Sequence, residues 1–208
     1  GLLLRSGVRD VVIVAPKILN YGTGCLTHNG ISLVQFNSLE LQEDVQIICP
    51  VVKDFKASGI LISSGSRHVT VSEADIFGST VTLDSGITIA GAKDIRVSGR
   101  MAKVAIPFIL STGDGGCDRI DLDNLSMDNC GQSGNGLITT GVSGQTVTNL
   151  HIGRNIRVTN PISGTLYLLQ ADFAADTGNT IEANDTIPLR LSNPNHLDVR
   201  IVGHQGLF

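Results

Sequence analysis

Residues 117–130 read CDRIDLDNLSMDNC, and within them Ile120 and Leu122 alternate with Asp121 and Asp123. Successive side chains of an extended strand face opposite sides, so the apolar pair points inward and the acidic pair outward. The same apolar-x-apolar triplet returns at Val69 and Val71, Ile95 and Val97, Leu150 and Ile152, and Leu197 and Val199. Val12 and Val14, with Ile18, form the first match. A further apolar residue usually follows six or seven positions after a triplet opens. The chain is therefore an internal repeat.

A second element precedes the triplets: Gly30-Ile31-Ser32-Leu33, Gly59-Ile60-Leu61-Ile62 and Gly86-Ile87-Thr88-Ile89. After Gly59 the order is strand, a Ser/Gly turn, then the triplet at Val69. After Gly86 it is strand, Ala90 to Ala92, then the triplet at Ile95. Looser copies follow at Phe108 and Ile109, Leu137 and Ile138, and Leu189 and Leu191. Their separation of roughly 20 to 30 residues is that of solenoid repeats. Apolar residues recur at spacing two, and Gly interrupts every helical window. One such repeat cannot bury its own apolar face, whereas stacked copies can. The expectation is an all-β solenoid of about seven to eight coils, a single domain over residues 1–208, with Val69, Val71, Ile95, Val97, Ile120, Leu122, Leu150 and Ile152 in its core. Phe36, Phe55 and Phe108 also fall where the core is expected.

Composition agrees with this class. Of 208 residues, 24 are Gly, 16% are charged, 4% are aromatic and none is Trp, a profile of short strands and many turns. A formal net charge of −4 without any Lys/Arg cluster excludes a nucleic-acid footprint, since nothing could neutralise a run of phosphates. Cys25, Cys49, Cys117 and Cys130 include no C-x-x-C, so buried free thiols are expected rather than a zinc site. No run of about 18 apolar residues offers a membrane span, and Leu2 to Leu4 is too short for a secretory leader. Because the chain opens in mid-pattern, it is expected to be part of a longer protein.

The segments GILISSGSRHVTVSEADIFG (59–78) and GITIAGAKDIRVSG (86–99) resemble coils of the right-handed parallel β-helix proteins, the pectin-lyase-like group of pectinases, other polysaccharide-degrading enzymes and phage tailspikes. The resemblance extends over nearly the whole chain. It implies the fold and leaves the activity open, because that scaffold carries lyases, hydrolases, epimerases and adhesins. The Ser/Thr/Gly-rich coils are most similar to a fragment of a phage tailspike or tail appendage. That implies host polysaccharide as partner, a homotrimer, and a place in the virion tail or outside the cell. A secreted carbohydrate-active enzyme and a structural shaft are the alternatives.

Stacking in register would bring Thr70, Arg96, Asp121 and His151 into one outward column, with Ser72, Ser98, Asp123 and Gly153 in the next and Arg154 beside it. As a site, Asp121 and Asp123 are the catalytic carboxylates, His151 carries or orients a proton, and Arg96 and Arg154 hold an acidic sugar. Two residues along a strand separate backbones by roughly 6.5 to 7 Å, which suits an inverting glycosidase, whose carboxyls lie about 6.5 to 9.5 Å apart. As a solvated sheet face, the same residues are a cross-strand ladder. Both remain open at this point.

Gly113-Asp114-Gly115-Gly116-Cys117-Asp118 is similar to the G-D-D-C segment of polygalacturonase-type hydrolases and makes Asp114 and Asp118 further substrate-binding candidates. Gly115 stands where the second catalytic Asp would be. Gly203-His204-Gln205-Gly206 resembles that family's G-H-G with an insertion, and no R-I-K follows. The pectinase mechanism is therefore not carried over. Asp121, Asp123 and Asp128, the nearest equivalents of the calcium ligands of pectate lyases, lack a third ligand on an adjacent coil, so no metal or cofactor is expected. Glu73 and Asp75 read as turn residues, and His28 and His68 as solvated ones.

Overall fold

The computed structural model describes residues 1–5, 7–19, 29–35, 41–78, 84–111, 116–132, 136–140, 147–162, 167–171, 178–182, 189–191 and 199–201. Among them are nineteen strands and no helix. One sheet stacks β1 (Leu2–Arg5), β4 (Ile31–Val34), β7 (Ser58–Ile62), β9 (Ser85–Ala90), β11 (Ile106–Ser111), β13 (Gly136–Thr140), β16 (Tyr167–Ala171) and β18 (Leu189–Leu191). The other stacks β2 (Arg9–Val14), β5 (Gln42–Ile48), β8 (Ser66–Phe77), β10 (Lys93–Ala102), β12 (Cys117–Asp128), β14 (Val147–Ile152), β17 (Asn179–Ile181) and β19 (Val199–Ile201). Three shorter strands complete it: β3 (Lys17–Ile18) pairs β6 (Val51–Lys53), β6 also pairs β8, and β15 (Ile156–Thr159) pairs β12. Every pairing is parallel. The chain thus alternates between two sheets as it climbs, the expected parallel β-helix.

The core is a set of columns running along the stack. In the first sheet Ile31, Ile60, Ile87, Phe108 and Ile138 are in register and fully buried. In the second, Val45, Val69, Ile95, Ile120 and Leu150 form one column, and Ile47, Val71, Val97, Leu122 and Ile152 another, all at most 3% exposed. The eight core residues expected from the repeat are all inside. So are Phe55 and Phe108, whereas Phe36 lies outside the described residues. Burying a Val, Leu or Ile side chain contributes about 1.5 to 3 kcal/mol. Buried polar side chains bond between coils, as at Gln42, whose amide donates to the carbonyls of Val34 and Leu4 and accepts from the Ser66 hydroxyl; the buried Thr140 hydroxyl is the exception among the described residues. Cys117 and Cys130 are buried thiols, and burial pushes Cys130 up to about 11. Cys49 is only half-buried and donates to Glu73 instead, and Cys25 lies outside the described residues.

Left-handed residues turn the chain. Asp10, Asp44, His68, Asp94, Arg119 and Asn149, each with φ between 51° and 56°, immediately precede the inward triplet of successive coils. Asp, Asn and His are enriched in this conformation, and Asp and Asn can satisfy it with a local hydrogen bond. A second set, Glu73 and Asn124, bends the long strands β8 and β12. In β10 the bend falls at Gly99, φ 140°, where the register shifts. A Cβ there would lie 2.3 Å from the Ala74 carbonyl oxygen, so only Gly lets the two backbones approach.

Two registers differ from the sequence expectation. Val11 and Ile13, not Val12 and Val14, align with Val45 and Ile47, and Val12 and Val14 are 56% and 67% exposed. In an unbroken V-V-I-V run the alternation is ambiguous, and a one-residue slip exchanges the faces. At the other end Val199 and Ile201 pair with Asn179 and Ile181, so the last triplet starts two residues after Leu197. An Asp at Ile120 should abolish folding, because an unpaired charge in that column costs about 3 to 5 kcal/mol. Val14→Asp, on the outward face of β2, should leave the strand content of the single chain intact; circular dichroism of both variants checks the register.

Candidate functional site

The outward residue of each triplet forms a column of its own. Gln46, Thr70, Arg96, Asp121 and His151 are consecutive register partners across β5, β8, β10, β12 and β14. Thr70, Arg96, Asp121 and His151 are therefore neighbours, as the repeat implied. Two residues earlier on each strand stands a left-handed corner residue, giving a parallel column of Asp44, His68, Asp94, Arg119 and Asn149. Both columns line an open groove of about 540 Å³.

Ion pairs knit the corner column together. Arg119 donates to both oxygens of Asp94, the Nη2 contact being 2.8 Å, and Nη1 donates to Asp118. The Arg119 hydrogen bond holds the Asp94 carboxyl below the usual carboxylate range, against a smaller opposing effect of burial. His68 lies between Asp44 at 3.4 Å and Asp94 at 3.6 Å. In the other column His151 Nδ1 is 2.8 Å from Asp121, and its Nε2 is 3.9 Å from Glu182, which also meets Arg154 at 3.4 Å. Arg96 has no ion-pair partner among the described residues.

The four aspartates of β12 share one habit. Asp118 accepts from the Thr148 hydroxyl and the Asn149 amide, both at 2.8 Å. Asp128 accepts from the Thr159 hydroxyl at 2.7 Å and the Asn160 amide at 3.1 Å, a repeat of the same Thr-Asn clasp. Asp123 accepts from the Asn155 backbone N–H at 3.1 Å. It also leaves no room for a side chain at position 153, where a Cβ would meet its Oδ1 at 2.3 Å. Asp121 takes His151. Each carboxylate thus grips the following coil. Burial raises the Asp118 carboxyl, but hydrogen bonds from Asn149 and Thr148 outweigh it, so the net displacement is downward. The hydrogen bond from Thr159, then that from Asn160, lower Asp128.

Of the residues singled out from sequence, Arg96, Asp121 and His151 line the groove. Asp118 and Asp123 are engaged in clasps, Arg154 pairs with Glu182, and Asp114, His28 and the 203–206 segment lie outside the described residues. Asp75 pairs with Arg100 at 3.1 Å. Sequence reasoning missed Asp44, His68, Asp94, Arg119 and Asn149 as groove residues, and Glu182. The available signal was the polar residue directly before each triplet. Among the described residues no group of three His, Cys, Asp or Glu side chains is arranged to hold a metal.

Comparison of the chain with family models, curated proteins and solved structures finds no match. The parallel β-helix is therefore a statement about architecture.

Asp118→Ala should cost roughly 1 to 3 kcal/mol at neutral pH, because two hydrogen bonds to a charged group are lost. A carboxyl lowered on folding contributes its stability above its unfolded value of about 3.9 and loses it as pH falls through the lower folded value. The stability gap between wild type and Asp118→Ala in chemical denaturation should accordingly be full at about pH 7 and shrink as pH falls below the unfolded value.

Proposed function

We propose that the chain is a host-glycan recognition element of the phage tailspike type, and that a bacterial surface polysaccharide lies in the groove beside Arg96. The observation that carries this is the pair of hydrogen-bonding columns, each offering one polar side chain per coil from β5 to β14. Coils repeat at about 4.8 Å, so donors and acceptors recur along the groove as hydroxyls recur along a polysaccharide. Arg96, at the centre of its column and uncommitted to a carboxylate, is a ready donor. The clasping of Asp118, Asp123 and Asp128 favours recognition over hydrolysis, since these carboxylates are hydrogen-bonded to the following coil. The alternative of a glycoside hydrolase or polysaccharide lyase draws on one contact, the 2.8 Å pairing of His151 with Asp121, which could orient a proton-carrying imidazole.

Affinity electrophoresis against a panel of bacterial surface polysaccharides, with assay of released reducing ends and unsaturated products, tests both. Arg96→Ala should weaken retention about tenfold or more, the order of one charge-assisted hydrogen bond, with little change in melting temperature. Recognition alone predicts no released product; turnover that disappears in Asp121→Asn would establish the enzyme instead. Retention of no polysaccharide by the wild type would overturn the proposal.

We further propose assembly as a homotrimer. Leu3, Val12, Val14 and Leu19, the exposed large apolar side chains of the described residues, all lie on the first coil, and a partner chain would cover them. Sedimentation should give three chains per particle; a stable monomer at micromolar concentration would refute it.

A further inference from the structure

Two imidazoles on the groove flank are held in the same way. His68 has Nδ1 3.4 Å from Asp44 on the preceding coil and Nε2 3.6 Å from Asp94 on the following one. His151 has Nδ1 2.8 Å from Asp121 on the preceding coil and Nε2 3.9 Å from Glu182 on the following one. A neutral imidazole carries one N–H and one lone pair. In each bracket, therefore, one ring nitrogen turns a lone pair toward a carboxylate. The imidazolium carries two N–H groups and can donate to both.

Of the surrounding cations, Arg9, Arg119 and Arg154 have ion-pair partners of their own, whereas Arg67, Lys93 and Arg96 have none among the described residues. Around His68, Arg9 meets Glu43 at 3.6 Å on the preceding coil, and Arg119 is bound to Asp94 and Asp118 on the far side. Arg67 adjoins His68 on β8, and Lys93 adjoins Asp94 on β10. Around His151, Arg154 is held by Glu182, and Arg96 neighbours Asp121 in register without pairing to it. Arg119, charged throughout the accessible pH range, joins Asp94 to Asp118, and Asp118 reaches Asn149. The contacts of the first bracket thus run from β5 to Asn149 on β14, two residues before His151.

We propose that the two brackets are a proton-dependent clamp: protonated His68 ties β5, β8 and β10 together, and protonated His151 ties β12 and β14 to Glu182, the residue that follows β17. The sign follows from the donors. Stabilisation is present while the imidazoles are charged and the four carboxylates ionised. It is lost as pH rises and the imidazoles become neutral, and lost again in strong acid as the carboxylates protonate. The clamp does not depend on what the groove binds.

Thermal denaturation of the chain at about pH 7.5 and about pH 5.5, on either side of ordinary imidazole titration, tests it. The wild type should melt about 2 to 4 °C higher at the lower pH, the shift that a modest gain produces in a chain of this size. His68→Gln with His151→Gln should abolish the rise. Asp44→Asn and Glu182→Gln, milder changes that open one side of one bracket, should each reduce it. Absence of the rise in the wild type, or its persistence in the double Gln variant or in both single-bracket variants, would overturn the clamp.

Discussion

No strand of this chain can satisfy its backbone alone. In a parallel solenoid every N–H and C=O that leaves a strand is answered by the coil before or after it, so register between coils is the constraint on which everything else depends. Once Ile95 is opposite Val69 and Ile120, Arg96 is necessarily opposite Thr70 and Asp121. The core columns and the groove columns are the two faces of one set of pairings. A slip of one residue would bury the groove and expose the core.

The corners impose the second condition. A coil must bend sharply, and it does so at single left-handed residues near the start of its strands, such as Asp94 in β10 and Asn149 in β14. Their positions are reproduced from coil to coil, so their side chains also stack and become a wall of the groove. Asp, Asn, His and Gly at such corners are thus chosen first by backbone conformation. The ion pairs of Asp94 with Arg119 and His68 are built on that choice.

Within this frame, acidic residues that look like catalytic candidates have structural employment. Asp118, Asp123 and Asp128 lie on one strand and each binds donors from the next coil. The Thr-Asn pair that meets Asp118 is repeated at Asp128, which marks a general device for holding two coils together. Against that background Arg96 is distinctive, since its in-register neighbour Asp121 turns to His151 and leaves the guanidinium facing the groove.

The spacing of apolar residues was enough to read the solenoid, its inner columns and the neighbourhood of Arg96, Asp121 and His151. Alternation with period two states which side chains share a face, and repetition states which faces stack. Sequence could not resolve Val11 from Val12, because both choices place apolar residues inside and only pairing with Val45 and Ile47 selects one. Nor could it find the wall of Asp44, His68, Asp94 and Arg119, or the bracket closed by Glu182. Those contacts join residues about a coil apart through side-chain rotamers and left-handed corners. Their distances are decided only when the coils are laid one upon another.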